Sequence, residues 1–390
     1  MGNRILFVDD ERAILKSVER LFYDSEYQVT TASSGHAGLE VLAEDEFDIV
    51  VSDNRMPLMD GQQFLRQVKT LYPQTTRIML SGYVEEKAIF DSIVDGSCNM
   101  YLLKPWKGEE LRGKLKRIME SRKVFSRKGI IAIANQLDNL SVAPKLHKNL
   151  NTLIENGVDI ESVAAFIETD PMVAVAILRI VNSAFEHIET GSLIKAVTYL
   201  GLNTTKTIAL SCKLFDSTDK TTLPFDTEML AAHAQRSNAI LTRIYSDLLE
   251  KELPADFQTA GLLSNLGLLL YLHYFPEKYE QVIIDQDNGL KKTLFQHEKA
   301  VLGVTHQEIG GYLMHWWGLP YPIVESALFH HEPLQDSIIN QELVAAVHVA
   351  NYLAWQPLNP DLAELETGVF QVLGIAQEDC LDLGKRFIFI

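Results

Sequence analysis

Residues 47–57 read Phe47-Asp48-Ile49-Val50-Val51-Ser52-Asp53-Asn54-Arg55-Met56-Pro57. A short β-branched apolar run is the form of a strand buried on both faces of a parallel sheet, and this one stops on a carboxylate, Asp53. Outward from it the same form recurs. Ile5-Leu6-Phe7-Val8 stops on Asp9-Asp10, Arg77-Ile78-Met79-Leu80 on Ser81, and Met100-Tyr101-Leu102-Leu103 on Lys104, with Val29-Thr30-Thr31 as a further short strand. Amphipathic stretches separate or follow them at Ala13 to Phe22, Ala37 to Ala43, Phe64 to Leu71, Ala88 to Val94 and Leu111 to Met119. This alternation predicts an α/β domain with a five-stranded, parallel, doubly wound sheet, whose functional groups gather at the carboxyl ends of the strands.

Asp9, Asp10, Asp53, Ser81 and Lys104 all fall at those ends, hence on one rim. Three carboxylates crowded together repel one another unless a cation sits among them. A hard divalent ion with oxygen ligands, magnesium above all, suits such a set. Beside it an aspartate can attack a phosphoryl group and form an acyl phosphate. The ammonium of Lys104 and the hydroxyl of Ser81 are the groups needed to neutralise the equatorial oxygens during transfer.

Asp9-Asp10, Asp53 followed by Met56-Pro57 and Asp60-Gly61, Ser81-Gly82 and Lys104-Pro105 resemble the receiver domains of bacterial response regulators, which are flavodoxin-like. The resemblance covers about the first 120 residues, with five motifs in order. It implies that Asp53 is the phosphoacceptor, and that Asp9, Asp10, Asp53 and the backbone carbonyl of Arg55 hold magnesium. Lys104 would pair with the phosphoryl group, and Ser81 and Tyr101 would form the switch pair. Arg55 and Tyr83 flank the site and would tune water access to the acyl phosphate.

Beyond Lys104-Pro105-Trp106 the helical pattern from Glu109 to about Lys123 continues toward Asn135, and the rest reads as helical. Apolar residues recur at helical spacing over Ile160 to Ile167, Val173 to Val181, Thr204 to Leu214, Met229 to Leu249, Thr259 to Leu270, Ile309 to Trp317, Val344 to Leu353 and Leu362 to Leu373. Asp170-Pro171 is a helix start, and Gly157, Gly201 and Gly318 stand where helices should stop. The expected boundaries are an α/β domain over 1–122, a helical linker over 123–134 and an all-α domain over 135–390.

His233, His306, His330, His331 and His348 invite a metal reading, since imidazole is a common transition-metal ligand. The order of elements resembles the HD superfamily of metal-dependent phosphohydrolases. However, Ser264-Asn265 stands where that superfamily has His-Asp, and Asn351 stands in place of a late Asp. Neutral side chains at those positions remove charge that a metal site needs to activate water. The stretch after His330-His331 also lacks a Gly-Tyr-Pro segment.

A nearer resemblance is to the HDOD domain, an HD-related output domain. It rests on Asp170-Pro171, on Leu178 to Phe185, on Ala196-Val197-Thr198-Tyr199-Leu200-Gly201 and on Gly261-Leu262-Leu263. It rests further on His306-Gln307-Glu308-Ile309-Gly310 and Trp317-Gly318-Leu319-Pro320. That family is regulatory and generally non-enzymatic, so the departures at Ser264, Asn265 and Asn351 fit it.

Composition agrees with a soluble signalling protein. Of 390 residues, 47% are hydrophobic and 22% charged, too apolar a mixture for a disordered chain. No window is apolar and long enough to span a bilayer, and the N-terminus carries no secretory segment, so a cytoplasmic protein is expected. Cys98, Cys212 and Cys380 are too scattered for a disulfide framework or a zinc motif. A net charge of -17 argues against a nucleic-acid partner. The basic run Lys114, Lys116, Arg117, Arg122, Lys123, Arg127 and Lys128 reads as the solvated face of a helix. The implied partners are a sensor histidine kinase or phosphotransfer protein, an unidentified downstream protein and, by family analogy, a second copy in a homodimer. The competing expectation is an HD-type phosphohydrolase built on His233, His306 and His330 or His331.

Overall fold

A computed structural model describes residues 3–82, 97–128, 141–142, 153, 158–184, 188–211, 213–214, 225–287, 293–362 and 364–387. The chain divides into two compact units, Met1–Leu140 with Ser183–His187, and Ser141–Asn182 with Ile188–Ile390.

In the first unit the apolar runs form β1 (Asn3–Val8), β2 (Tyr27–Ala32), β3 (Ile49–Asp53), β4 (Thr76–Gly82) and β5 (Met100–Lys104). They pair in parallel in the order β2-β1-β3-β4-β5, the five-stranded sheet expected from the sequence. Every residue of β3 is buried, which is why its sequence is a continuous apolar run rather than an alternation. The helices are α1 (Arg12–Phe22), α2 (Gly35–Glu44), α3 (Gly61–Leu71) and α4 (Gly108–Lys128). The strand order reverses after β2, so right-handed crossovers put α1 on the face opposite α2 and α3. Arg112 of α4 donates to the carbonyl of Leu21 at 2.6 Å, which seats α4 beside α1. The sheet is thereby covered on both sides. The helix expected at Ala88 to Val94 lies outside the described residues, as do Tyr83, Cys212 and Gly157.

One expectation for α4 needs correction. Arg122 does not belong to a solvated face: it is 6% exposed, and its guanidinium donates to the Gln74 carbonyl at 2.6 Å and to the Thr76 hydroxyl at 2.9 Å. Asp48 pairs with it at 3.3 Å. A long cationic side chain in a basic run has here been drawn under the sheet by acceptors that sequence spacing does not reveal.

The second unit is helical. Its elements are α5 (Ile160–Ile167), α6 (Pro171–Ala184), α7 (Leu193–Ser211), α8 (Thr227–Arg243), α9 (Ala260–Leu263), α10 (Leu266–Tyr274), α11 (Pro276–Asp287), α12 (Leu294–Val301), α13 (His306–Trp316), α14 (Tyr321–Phe329), α15 (Gln341–Trp355), α16 (Val369–Leu373) and α17 (Gln377–Lys385). Asp170 caps α6, accepting from the Met172 N–H at 2.8 Å, and the helix it starts is buried from Met172 to Val181.

Four expected helices differ in extent. The one expected over Thr204 to Leu214 ends at Ser211, and Lys213-Leu214 instead pairs in parallel with Ser141-Val142. Gly201 kinks α7 with φ 74. α8 passes into a π turn over Ile244–Leu248. The stretch Thr259 to Leu270 breaks at Ser264-Asn265, because the Ser264 hydroxyl turns back to the Gly261 carbonyl at 3.1 Å and the Asn265 side chain is engaged elsewhere. Leu362 to Leu373 becomes a single 3-10 turn, Pro360–Leu362, followed by α16.

α10 and α13 cross at unusually close range. A Cβ on Gly267 would lie 1.9 Å from the His306 carbonyl oxygen, and one on Gly310 would lie 2.9 Å from the Gly267 nitrogen. Only glycine permits this crossing, which fixes the position of His306 at the first turn of α13.

Candidate functional sites: an acidic rim and a histidine cluster

Parallel register brings the strand ends together: Val8 pairs with Ser52, Asp53 with Leu80 and Gly82 with Lys104. Asp9 and Asp53 are nearly buried, at 2% and 7% exposure, whereas Asp10 is exposed. The ammonium of Lys104 bridges the two buried carboxylates, 2.5 Å from Asp53 Oδ1 and 2.8 Å from Asp9 Oδ2. Their other oxygens accept backbone N–H groups, from Arg55 to Asp53 Oδ2 at 2.8 Å and from Glu11 to Asp9 Oδ1 at 2.8 Å. A Cβ on Gly61 would meet the Asp53 carbonyl oxygen at 2.0 Å, so glycine there lets α3 start directly against the rim. Outside it opens a cavity of about 540 Å³ lined by Asp10, Asn54, Arg55, Met56, Asp60 and Gln62 among others.

Burial holds the Asp53 carboxyl above the usual carboxylate range; the hydrogen bond and charge of Lys104 oppose this, while the charge of Asp9 adds to it. Lys104 moves up as well, because its bonds to Asp53 and Asp9 outweigh the cost of burying the ammonium. An anionic pair that needs a cation, beside an exposed third carboxylate and a cavity with oxygen donors, is a donor set suited to a hard divalent ion. Ser81 is the next-to-last residue of β4 and Tyr101 lies in β5, but their side chains lie outside what the structure describes.

In the helical unit the structure sorts the expected histidines. His306, His330 and His331 converge, with ligand nitrogens within 4.8 Å of one another, and they are the one such group of three among the described residues. His233 is elsewhere engaged: its ring stacks on Trp355 with centroids 4.1 Å apart, and Nε2 faces the Asn351 carbonyl at 3.2 Å. Burial lowers its pKa to about 3, so it is neutral. His348 bonds the His330 carbonyl through Nδ1 at 2.6 Å and accepts the Glu366 N–H on Nε2 at 2.8 Å. Asn265 donates to Asn351 Oδ1 at 2.6 Å, so two of the neutral positions satisfy each other.

Sequence reading missed Glu298, a wholly buried carboxylate on α12 facing the His306 ring at 2.8 Å. It also missed Tyr279 of α11, whose hydroxyl donates to Glu298 at 2.6 Å. Glu298 sits between His297 and Lys299 in a polar stretch that looks like any exposed helix face.

A parallel α/β unit carrying a lysine-bridged pair of buried aspartates at the strand ends, followed by a helical unit, defines a signalling receiver joined to a helical output domain. Comparison with known families makes the two parts specific. The response regulator receiver domain matches residues 5–116 and the HDOD domain matches residues 140–333. The chain therefore consists of a response regulator receiver domain followed by an HDOD domain.

Among curated proteins, the two-component response regulator ARR12 of Arabidopsis thaliana is 39% identical over 124 residues, 31% of this chain and 20% of that protein. The hydrogenase transcriptional regulatory protein HoxA of Cupriavidus necator is 30% identical over 118 residues, 30% of this chain and 24% of its own. The chain thus spans only 20% and 24% of the length of these relatives, through the receiver part. A crystal structure of the MmoQ response regulator from Methylococcus capsulatus covers 63% of this chain and 98% of its own, with a TM-score of 0.51 and 23% identity, a likeness of fold. Among the described residues no helix is long and apolar enough to cross a membrane.

Proposed function

We propose that the protein is a cytoplasmic two-component response regulator in which phosphorylation of Asp53 by a sensor histidine kinase or phosphotransfer protein switches the protein contacts of a non-catalytic HDOD domain. The observation that carries this reading is the Lys104 ammonium held between Asp53 and Asp9. The proposed boundaries are a receiver over 1–122, a helical linker over 123–134 and an output domain over 135–390, with a downstream protein or a second copy as the responding partner.

In the transfer, an Asp53 carboxylate oxygen forms a bond to phosphorus as the phosphorus–nitrogen bond of the donor phosphohistidine breaks, its electron pair returning to the imidazole. Asp9, Asp10, Asp53 and the Arg55 carbonyl would hold magnesium, which supplies charge neutralisation to the phosphoryl oxygens. Lys104, already within reach of Asp53 Oδ1, exchanges a carboxylate for the more highly charged phosphoryl group. That exchange loosens its bond to Asp9, and Ser81 and Tyr101 then carry the change across the outer strands. Ser264, Asn265 and Asn351, standing where HD hydrolases have ionisable ligands, support an output that binds rather than hydrolyses.

Beryllofluoride with magnesium mimics the phosphoryl group. In wild-type protein it should change the shape, oligomeric state or partner binding, and Asp53→Ala should abolish the response. A wild-type protein that shows no such response would count against the reading.

A further inference from the structure

Hydrogen bonds on the far sides of the rings fix how the histidine cluster can be protonated. Glu298 accepts the Tyr279 hydroxyl at 2.6 Å and the His306 backbone N–H at 2.7 Å, so it meets His306 Nδ1 as an acceptor, at 2.8 and 2.9 Å. The ring proton of His306 is therefore on Nδ1. His330 Nδ1 faces the Ala327 carbonyl at 2.9 Å, and a carbonyl can only accept, so its proton is on Nδ1 too. Both rings turn Nε2 inward, and these atoms stand 3.4 Å apart. His331 brings a third Nε2 to within 3.2 Å of His306, while its Nδ1 has no protein partner.

Where the rings are neutral, lone pairs facing each other at this range repel. A proton from His331 would satisfy one contact of His306 and leave the His306–His330 contact bare. One metal ion satisfies all three nitrogens at once. Bonds of ~2.0–2.1 Å from zinc to imidazole, at a tetrahedral angle, separate two ligand nitrogens by ~3.4 Å. Two of the observed separations, 3.2 and 3.4 Å, match that spacing, and all three ligand atoms lie within 4.8 Å of one another. Glu298 and the Ala327 carbonyl then play the part of outer groups that orient metal-binding imidazoles through their second nitrogen.

We propose that His306, His330 and His331 bind one borderline divalent transition-metal ion, zinc above all, through their Nε2 atoms, leaving a fourth position for water or a partner's side chain. The site ties the start of α13 to the end of α14, and its role is structural or regulatory. Asn265 and Asn351 are bonded to each other rather than offered as anionic ligands. Nitrogen ligands also separate this ion from any that the oxygen-rich rim prefers. The inference does not depend on phosphorylation of Asp53.

The test uses full-length, tag-free protein purified without chelator. Elemental analysis should find zinc at about one ion per chain, three imidazole nitrogens and a water being an established zinc donor set. Cobalt added to the stripped protein should give the intense visible bands of a tetrahedral site, absent in His306→Gln and His331→Gln. His233→Gln should bind as wild type, since its ring is bonded elsewhere. Glu298→Gln keeps all three ligands and should weaken binding about 10–100-fold. Circular dichroism shows whether each variant is folded, and His331→Gln and Glu298→Gln decide the matter if His306→Gln is not. Folded wild-type protein without bound metal and with no cobalt bands would overturn the site. So would bands that survive in the folded His331→Gln variant and equal affinity in Glu298→Gln.

Discussion

Lys104 Nζ stands 2.5 Å from Asp53 Oδ1, nearer than the 2.8 Å to Asp9 Oδ2, so one ammonium is shared unequally by two nearly buried carboxylates. Because burial raises the Asp53 pKa in the folded state, the native rim retains a proton that the unfolded chain has already released. Between the ordinary carboxylate value and the raised one, stability therefore falls as pH rises, and it stays lowered at neutral pH. Asp53→Asn should remove that cost and slow hydrogen exchange in β1 and β3 at pH 7. Millimolar magnesium should protect wild type and not the variant. Lys104→Met should do the reverse of Asp53→Asn, destabilising the receiver by about 1–3 kcal/mol as two buried acceptors lose their donor. Equal exchange in wild type and Asp53→Asn would show that the rim is not under electrostatic strain.

The helical unit should be acid-labile for the opposite reason. His233 has a folded pKa of about 3, set by burial against the smaller favourable effect of the Asn351 carbonyl. The unfolded chain takes up that proton near pH 6.5 while the native state refuses it, so stability is lost as pH falls from about 6.5 toward 3. Burial pushes His348 down as well. Each such proton contributes a slope of at most about 1.4 kcal/mol per pH unit. Denaturant midpoints of the helical transition measured from pH 7 to pH 5 should fall, and His233→Gln should lower the slope by about one proton. An unchanged slope would place the acid sensitivity elsewhere.

Much of the receiver was legible because its chemistry sits at the ends of apolar runs. Asp9 directly follows β1, Asp53 and Lys104 are the last residues of β3 and β5, and the parallel register carries them to one rim. Lys104 appeared as a phosphoryl ligand, whereas in the structure it holds carboxylates, since the sequence names the cation but not its resting partner. The burial of Arg122 is not legible in its basic run because it depends on the Gln74 and Asp48 acceptors, distant in sequence. In the helical unit His233 and His306 look alike in sequence. Only the Trp355 ring over the one and Glu298 behind the other separate a packed histidine from one whose Nε2 faces two further imidazoles.

Two glycines make a paired test of packing. A methyl at Gly267 would collide with the backbone of His306, so Gly267→Ala should cost about 3 kcal/mol or more, because backbone cannot move aside as a side chain does. Gly113 lies within α4 with nothing within 4 Å of a new Cβ, and Gly113→Ala should stabilise the receiver by about 0.5–1 kcal/mol through the lower entropy of the unfolded chain. Urea denaturation of both variants checks the signs. A mild effect of Gly267→Ala would mean that α10 and α13 do not cross as closely as described.

The Asn265–Asn351 pair tests whether neutrality is a structural requirement of the helical unit. Asn265 donates at 2.6 Å to an acceptor that is itself 3% exposed, and Asn265 is 5% exposed. Asn265→Leu leaves the Asn351 oxygen buried and unpaired, a loss of about 1–3 kcal/mol. Asn351→Asp keeps the acceptor in place but introduces a carboxyl whose ionised form must be desolvated. Its folded pKa should be raised, so the variant should be close to wild type near pH 4 and lose stability as pH rises through that value, the opposite trend to the one His233 imposes. At pH 7.5, combining Asn265→Leu with Asn351→Asp should cost more than the two single losses added together, because Asp keeps the acceptor and the double variant leaves a buried carboxylate with no donor. Urea midpoints for the four proteins at pH 4.5 and pH 7.5 decide the matter. If Asn351→Asp were as stable as wild type at both pH values, the position would tolerate an anion, and the amide there would reflect something other than the cost of burying charge.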